Sequence, residues 1–86
     1  MTRAERIETL LMQALSPQSL EIIDDSYKHA GHAGAKPEGE THYTVRIVAS
    51  AFEGQSRVAM QRAVLEALQP EFDTGLHALS IKAAAA

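Results

Sequence analysis

The sequence contains no cysteine, no long hydrophobic run and no excess of positive charge. Without cysteine, the chain itself can form no disulfide and offers no thiol nucleophile and no thiolate metal ligand. A membrane-spanning helix needs about 18 or more consecutive apolar residues, and no such stretch is present. The formal net charge is −3, which argues against a protein dedicated to nucleic acid, where clustered lysine and arginine neutralise phosphates.

The remaining composition is that of one small globular domain. The chain has 86 residues, of which 45% are hydrophobic, enough to build a core. We therefore expect a single domain over residues 1–86, with residues 1–2 and 83–86 frayed. The N-terminal stretch is charged throughout and lacks a cleavage site of the signal-peptide type, which favours a soluble, cytoplasmic protein.

Hydrophobic periodicity predicts five elements in the order helix, strand, strand, helix, strand. The predicted spans are about 3–15, 20–24, 41–50, 57–68 and 75–83. A T-x-x-E capping box formed by Thr2 and Glu5 begins the first helix. Ser56 is the candidate N-cap of the second helix, and Pro70 is expected to end it. The economical way to bury these apolar stripes is an α+β fold, a three-stranded mixed sheet with helices on one face.

Four histidines are expected to meet at one rim of this sheet. A hairpin of the first two strands would bring His29, His32 and His42 near one another. The long connection after the second strand suits a crossover to a parallel third strand, which would begin at the same rim with His77. An antiparallel third strand would move His77 to the opposite rim. His77 is also predicted to share a face with Leu79, and a lone histidine on an apolar face is most often a core residue.

Two kinds of chemistry could use such a cluster. Neutral imidazole is the commonest protein metal ligand and suits zinc, copper and iron. General acid–base catalysis is the alternative, with Asp24, Asp25 and Glu40 as nearby carboxylates. The sequence offers no nucleophile elbow and no phosphate loop to support an enzyme. A closed structural zinc site would need four ligands, commonly including cysteine, so the histidines favour a site completed by a partner.

Three segments together resemble the BolA family. They are LEIIDDSYKHAGH, ETHYTVRIVASAFEG and GLHALSI, which have the order and spacing typical of that family and cover the chain from about Ile7 to Ile81. The resemblance implies a small α+β domain like the type II KH domain. It also implies an adaptor, and not an enzyme, that partners a monothiol glutaredoxin.

The resemblance further implies a shared [2Fe-2S] cluster, to which the glutaredoxin and glutathione supply thiolates. The BolA-like chain would supply histidine, with roles in cluster trafficking or iron regulation. The ligand in the C-terminal HA motif would be His77, and a second, in the S-x-x-H pattern of the loop, would be His29. His32 is the reserve candidate. The free chain is expected to be a monomer or a weak homodimer.

The alternative function is a KH-like nucleic-acid-binding transcriptional regulator. Arg57, Arg62 and Lys82 could form a small basic patch for this purpose. Residues 31–34 have the G-x-x-G form of the KH phosphate loop, although this loop should join two helices and here lies between predicted strands. Many family members have an RHR run where this chain has Met60-Gln61-Arg62, which lowers the expectation of DNA binding.

Overall fold

The structure, a computed structural model, describes residues 2–25 and 42–86. Its elements follow one another along the chain as two longer helices, a short helix and three strands. They are α1 (Arg3–Leu15), β1 (Ser19–Asp24), β2 (His42–Ala49), a 3₁₀ turn (Ser50–Phe52), α2 (Arg57–Ala67), α3 (Gln69–Asp73) and β3 (Ala78–Ala85).

Helix α1 begins and ends where the local chemistry of the sequence requires. The Glu5 amide donates to the Thr2 hydroxyl oxygen at 3.2 Å, and the Thr2 amide donates to Glu5 Oε1 at 3.1 Å. This reciprocal pair satisfies amide donors that a helix start leaves open, and it confirms the predicted capping box. Ser16 ends the helix in the left-handed conformation, with φ 44°, directly before Pro17.

The three strands form one mixed sheet in the order β1-β2-β3. β1 pairs antiparallel with β2, and β3 pairs parallel with β2. The parallel direction of β3 was predicted from the length of the crossover, and it is confirmed. His42 lies opposite Ala78 in this register, so the starts of β2 and β3 lie at the same rim.

The core lies between one face of the sheet and the helices. Val45 and Ile47 of the central strand are 0% and 1% exposed, and they pack with Ile7 of α1 and Val64 of α2. Complete burial of each such side chain contributes roughly 1.5–3 kcal/mol to the free energy of unfolding. The α+β class with a three-stranded mixed sheet and covering helices is therefore confirmed.

The sequence prediction missed one element and misjudged the end of the chain. Helix α2 ends at Ala67, close to the predicted Leu68 and before Pro70. Pro70 itself lies in the first turn of a further short helix, α3, where its missing amide costs no hydrogen bond. The alanine tail is also not frayed over residues 83–85. It continues β3, and Ala83, Ala84 and Ala85 pair with the last three residues of β2. Alanine has little intrinsic preference for strands, so the pairing with a central strand decides this conformation.

Candidate functional site

His42 and His77 form a pair at the rim where β2 and β3 begin. Their ring centroids are 5.2 Å apart, and the rings are inclined at 52° to each other. His42 is 8% exposed and lies at the first position of β2. His77 is exposed and precedes the first residue of β3. The pair therefore presents one accessible imidazole that rests against a buried one.

The sequence pattern predicted that His77 shares the buried face of the following strand. In the structure it does not, because its side chain is exposed. Leu79 and Ile81 do face the core and are half-buried against it. The strand pleat starts only at Ala78, however, so the alternation does not extend back to His77. An exposed imidazole can reach a ligand or a partner, which a core histidine could not.

The segment before His77 is anchored to helix α3. Leu76 is 4% exposed, and its amide donates to the Glu71 carbonyl oxygen at 2.9 Å. Gly75 makes the turn between them with φ 122°, a conformation that is open to glycine and strained for other residues. The backbone directly before His77 is therefore held in place.

Glu71 in turn is held by the first helix. Arg3 Nη1 donates to Glu71 Oε1 at 2.9 Å and to the Glu71 carbonyl oxygen at 3.1 Å, and Arg3 Nη2 donates to the Thr74 carbonyl oxygen at 3.0 Å. Arg6 Nε donates to the same carboxylate at 3.1 Å. Both members of the Arg3–Glu71 pair are nearly buried, with side chains 10% and 5% exposed. This network joins α1, α3 and the turn that leads to His77.

Sequence reasoning did not identify this supporting network. Glu71 follows Pro70, and a proline with an acidic residue in the next position is a typical first turn of a helix. That signal could have identified α3. Nothing in the local pattern, however, pairs Glu71 with Arg3, because 68 residues separate them.

The described residues do not by themselves form a closed metal site. No group of three or more His, Cys, Asp or Glu side chains converges in residues 2–25 and 42–86 in a way that could hold a metal ion. The predicted ligands His29 and His32 lie outside the described residues, as do the G-x-x-G segment 31–34 and Glu40. The described part of the rim thus offers one accessible imidazole, that of His77, and further ligands must come from the remaining residues or from another molecule.

The acid–base alternative gains no support at this rim. The Thr44 hydroxyl donates to Asp25 Oδ2, so this carboxylate has a structural partner. The Asp25 backbone amide donates to the His42 carbonyl oxygen at 2.8 Å and holds the residue in place. The adjacent depression, lined in part by Ser80, has a volume of about 210 Å³. Pockets that enclose a small-molecule substrate usually measure about 300–1,000 Å³.

The predicted basic patch is only partly assembled. Arg57 and Lys82 line one surface groove, together with Arg46, whereas Arg62 is exposed on α2 and is not part of the lining. Arg46 Nη1 also lies 3.5 Å from Glu21 Oε1, and both side chains are more than half exposed.

Among the residues that the structure describes, no helix has the length and apolar character needed to cross a membrane.

Comparison with known proteins identifies the family. Residues 11–86 match the family model of the BolA-like proteins. A Sinorhizobium sp protein, known as the uncharacterized protein in the cobS 5′ region, is 50% identical over 86 residues, covering 99% of this chain and 92% of that protein.

Two Arabidopsis thaliana proteins extend the comparison to a longer relative and to a solved structure. The chloroplastic protein BOLA1 is 51% identical over 81 residues, covering 92% of this chain but 51% of its own length, so this chain spans about half of that relative. The solved BolA domain of SufE1 superposes with a TM-score of 0.87 at 46% identity, covering 99% of this chain and 93% of that one. The chain therefore belongs to the BolA-like family.

Proposed function

We propose that this chain is an adaptor that binds a monothiol glutaredoxin and supplies histidine to a [2Fe-2S] cluster held between the two proteins. The cluster is the cargo of this function, in iron–sulfur cluster trafficking or iron regulation, and the chain is not an enzyme. The specific partner and cargo follow from the family resemblance. A cytoplasmic location and a monomeric or weakly dimeric free chain remain part of the same proposal.

The observation that supports the proposal most is the exposed His77 imidazole on an anchored backbone. Imidazole nitrogen is an established ligand of one iron in [2Fe-2S] centres. A single accessible histidine cannot hold a cluster alone, and no thiolate can come from a chain without cysteine. The donor set therefore fits a site that a thiol-bearing partner completes. His29 is the proposed second ligand from this chain, with His32 in reserve.

The test reconstitutes the mixed complex and compares ligand variants at one position. This chain is mixed with a monothiol glutaredoxin, ferrous iron, sulfide and glutathione, and visible absorption and circular dichroism are recorded. We expect a spectrum distinct from that of the glutaredoxin homodimer. His77→Ala should abolish the difference, whereas His77→Cys should restore a mixed spectrum shifted toward an all-thiolate cluster. Far-ultraviolet circular dichroism of each variant controls for folding.

Two results would contradict the proposal. One is a mixture whose visible spectrum equals that of the glutaredoxin homodimer. The other is a His77→Ala variant that gives the unchanged mixed-complex spectrum. His29→Ala and His32→Ala, measured in parallel, decide which loop histidine is the second ligand, because only loss of a ligand should alter the iron environment.

A further inference from the structure

A second surface lies at the other end of β3 from His77. It is a groove of about 620 Å³, lined by β3 residues 81–84, by Arg57 and Gln61 of α2, and by parts of β1 and β2. Lys82 lies four residues beyond Ala78, which corresponds to about 13 Å along a strand. This groove is therefore distinct from the histidine rim.

The groove borders a free strand edge. Within residues 2–25 and 42–86, β3 is the last strand of the sheet and pairs with β2 alone. Alternate residues of such a strand direct their amide and carbonyl groups away from the sheet, where they can pair with another strand. β3 is eight residues long and contains no proline and one charged side chain, Lys82. The edge is thus long enough, and regular enough, to accept an added strand.

Positive charge flanks this edge on both sides. In the described part of the chain, the groove lining has three basic residues and one acidic residue, Glu21, although the whole chain has net charge −3. Glu21 pairs with Arg46. For Arg57 and Lys82, both exposed, no carboxylate among residues 2–25 and 42–86 lies within ion-pair distance. An added strand would direct alternate side chains toward α2 and toward the open face of the sheet, and would meet one of these cations on each side.

We propose that the β3 edge binds an extended, acidic segment of a partner protein, which adds to the sheet as a fourth strand. Main-chain hydrogen bonds would give affinity, and the flanking cations would select acidic side chains. Two copies of this chain joined edge to edge would bring Arg57 and Lys82 of each copy toward those of the other, which like-charge repulsion disfavours. Among the described residues, the groove lining contains no aromatic side chain on which nucleic-acid bases could stack.

The test uses a synthetic acidic strand and the full chain. The probe is a fluorescein-labelled, capped peptide of about eight alternating threonine and glutamate residues, the length of β3. We expect saturable binding by anisotropy, with amide shift changes in β3 and the first turns of α2. A peptide with lysine in place of glutamate should not bind. The double variant Arg57→Glu/Lys82→Glu should weaken binding by at least about tenfold.

Matched controls separate strand addition from general charge attraction. Arg62→Glu makes a similar change on the same helix outside the groove, and it should alter the affinity by less than about twofold. A peptide N-methylated at alternate residues loses the amide donors of one edge, so it should bind the unmodified chain at least about tenfold more weakly. This second arm needs no variant of the chain and cannot be confused with misfolding.

Four outcomes would overturn the proposal. The first is an N-methylated peptide that binds as tightly as the unmodified one, and the second is a loss of peptide affinity in Arg62→Glu equal to that in Arg57→Glu/Lys82→Glu. The third is single-stranded oligothymidine that binds the same groove more tightly than the acidic peptide does. The fourth is self-association of the chain through β3. The third outcome would favour a nucleic-acid site and the fourth a homodimer. None of them involves the iron–sulfur cluster. This proposal can therefore fail while the proposed function stands, and the proposed function can fail while this proposal stands.

Discussion

The candidate site contains two histidines with opposite exposure. The His77 side chain is accessible to a ligand, whereas His42 is buried next to it. Their ring centroids are 5.2 Å apart. We infer from this contact that the His42 ring restricts the orientations that the His77 ring can adopt.

We predict that His42→Ala makes the His77 side chain more mobile without removing a ligand. The missing ring leaves His77 without its packing surface, so its rotamers should average. His42→Phe keeps a ring of similar shape but has no nitrogen, and it should preserve the order of His77. Imidazole ¹³C relaxation of His77 is the measurement. Equal mobility of His77 in the native chain and in His42→Ala would refute the supporting role of His42.

At the residue scale, the sequence predicted the meeting of distant histidines but not their exposure. His42 and His77 come together because β2 and β3 run parallel, and that direction follows from the crossover length. The exposure of His77 depends on where β3 begins. Alternation of Leu79 and Ile81 cannot fix that boundary, because the turn at Gly75 and the anchoring of Leu76 to Glu71 set it. His29 and His32 lie outside the described residues, so their roles stay predictions.

At the element scale, helix α1 contains a carboxylate whose titration reports on the helix start. Hydrogen bonds from the Thr2 backbone amide and then from the Thr2 hydroxyl hold the pKa of Glu5 below its usual value. In the unfolded chain this pKa returns to its ordinary range. The stabilisation is thus complete above the unfolded pKa and is lost as the pH falls through the folded pKa.

We therefore predict that acid lowers the free energy of unfolding of the native chain more than that of the variant Glu5→Gln. Glutamine can still accept a hydrogen bond from Thr2 but has no proton to gain, so its cap should not depend on pH in this range. Urea unfolding at several values between about pH 6 and pH 3 gives the comparison. Glu8→Gln, an exposed change on the same helix outside the capping box, is the control. The same pH dependence in the native chain and in Glu5→Gln would contradict the assignment.

Most elements were predicted well from local signals, whereas α3 and the C-terminal part of β3 were not. The capping box and the Ser16-Pro17 stop define α1, and alternation defines β2. α3 was missed because Pro70 was interpreted as a stop, whereas the same residue also fits a first helical turn. The extension of β3 through the alanines has no local signal at all. It exists because the end of β2, residues 47–49, supplies hydrogen-bonding partners.

At the scale of the whole molecule, one ion pair links the N-terminal helix to the segment that precedes His77. Arg3 and Glu71 are both nearly buried, and Arg6 and Thr74 contact the same pair. A buried pair is weak evidence for net stability, because desolvation offsets much of the attraction. Loss of one partner is different, because it leaves the other charge buried without compensation.

We predict that Glu71→Ala lowers the free energy of unfolding by about 3–5 kcal/mol. This is a large share of the total for a small domain, which is typically about 5–15 kcal/mol. Glu71→Gln retains an acceptor oxygen for Arg3 and should lie between the alanine variant and the native chain. The control is Asp73→Ala on the same short helix. Asp73 is exposed and accepts a surface hydrogen bond from Gln69 at 2.9 Å, so its loss should cost about 0.5 kcal/mol or less.

The same variants test whether this network also positions His77, the proposed ligand. Because the Leu76 amide bonds to the Glu71 carbonyl oxygen, loosening α3 should release the backbone next to His77. Hydrogen exchange at Leu76 should therefore accelerate in Glu71→Gln by more than the change in global stability explains, while exchange in the β2 core should follow global stability alone. Equal acceleration at both places would mean that Glu71 stabilises the fold as a whole and has no particular effect on the position of His77.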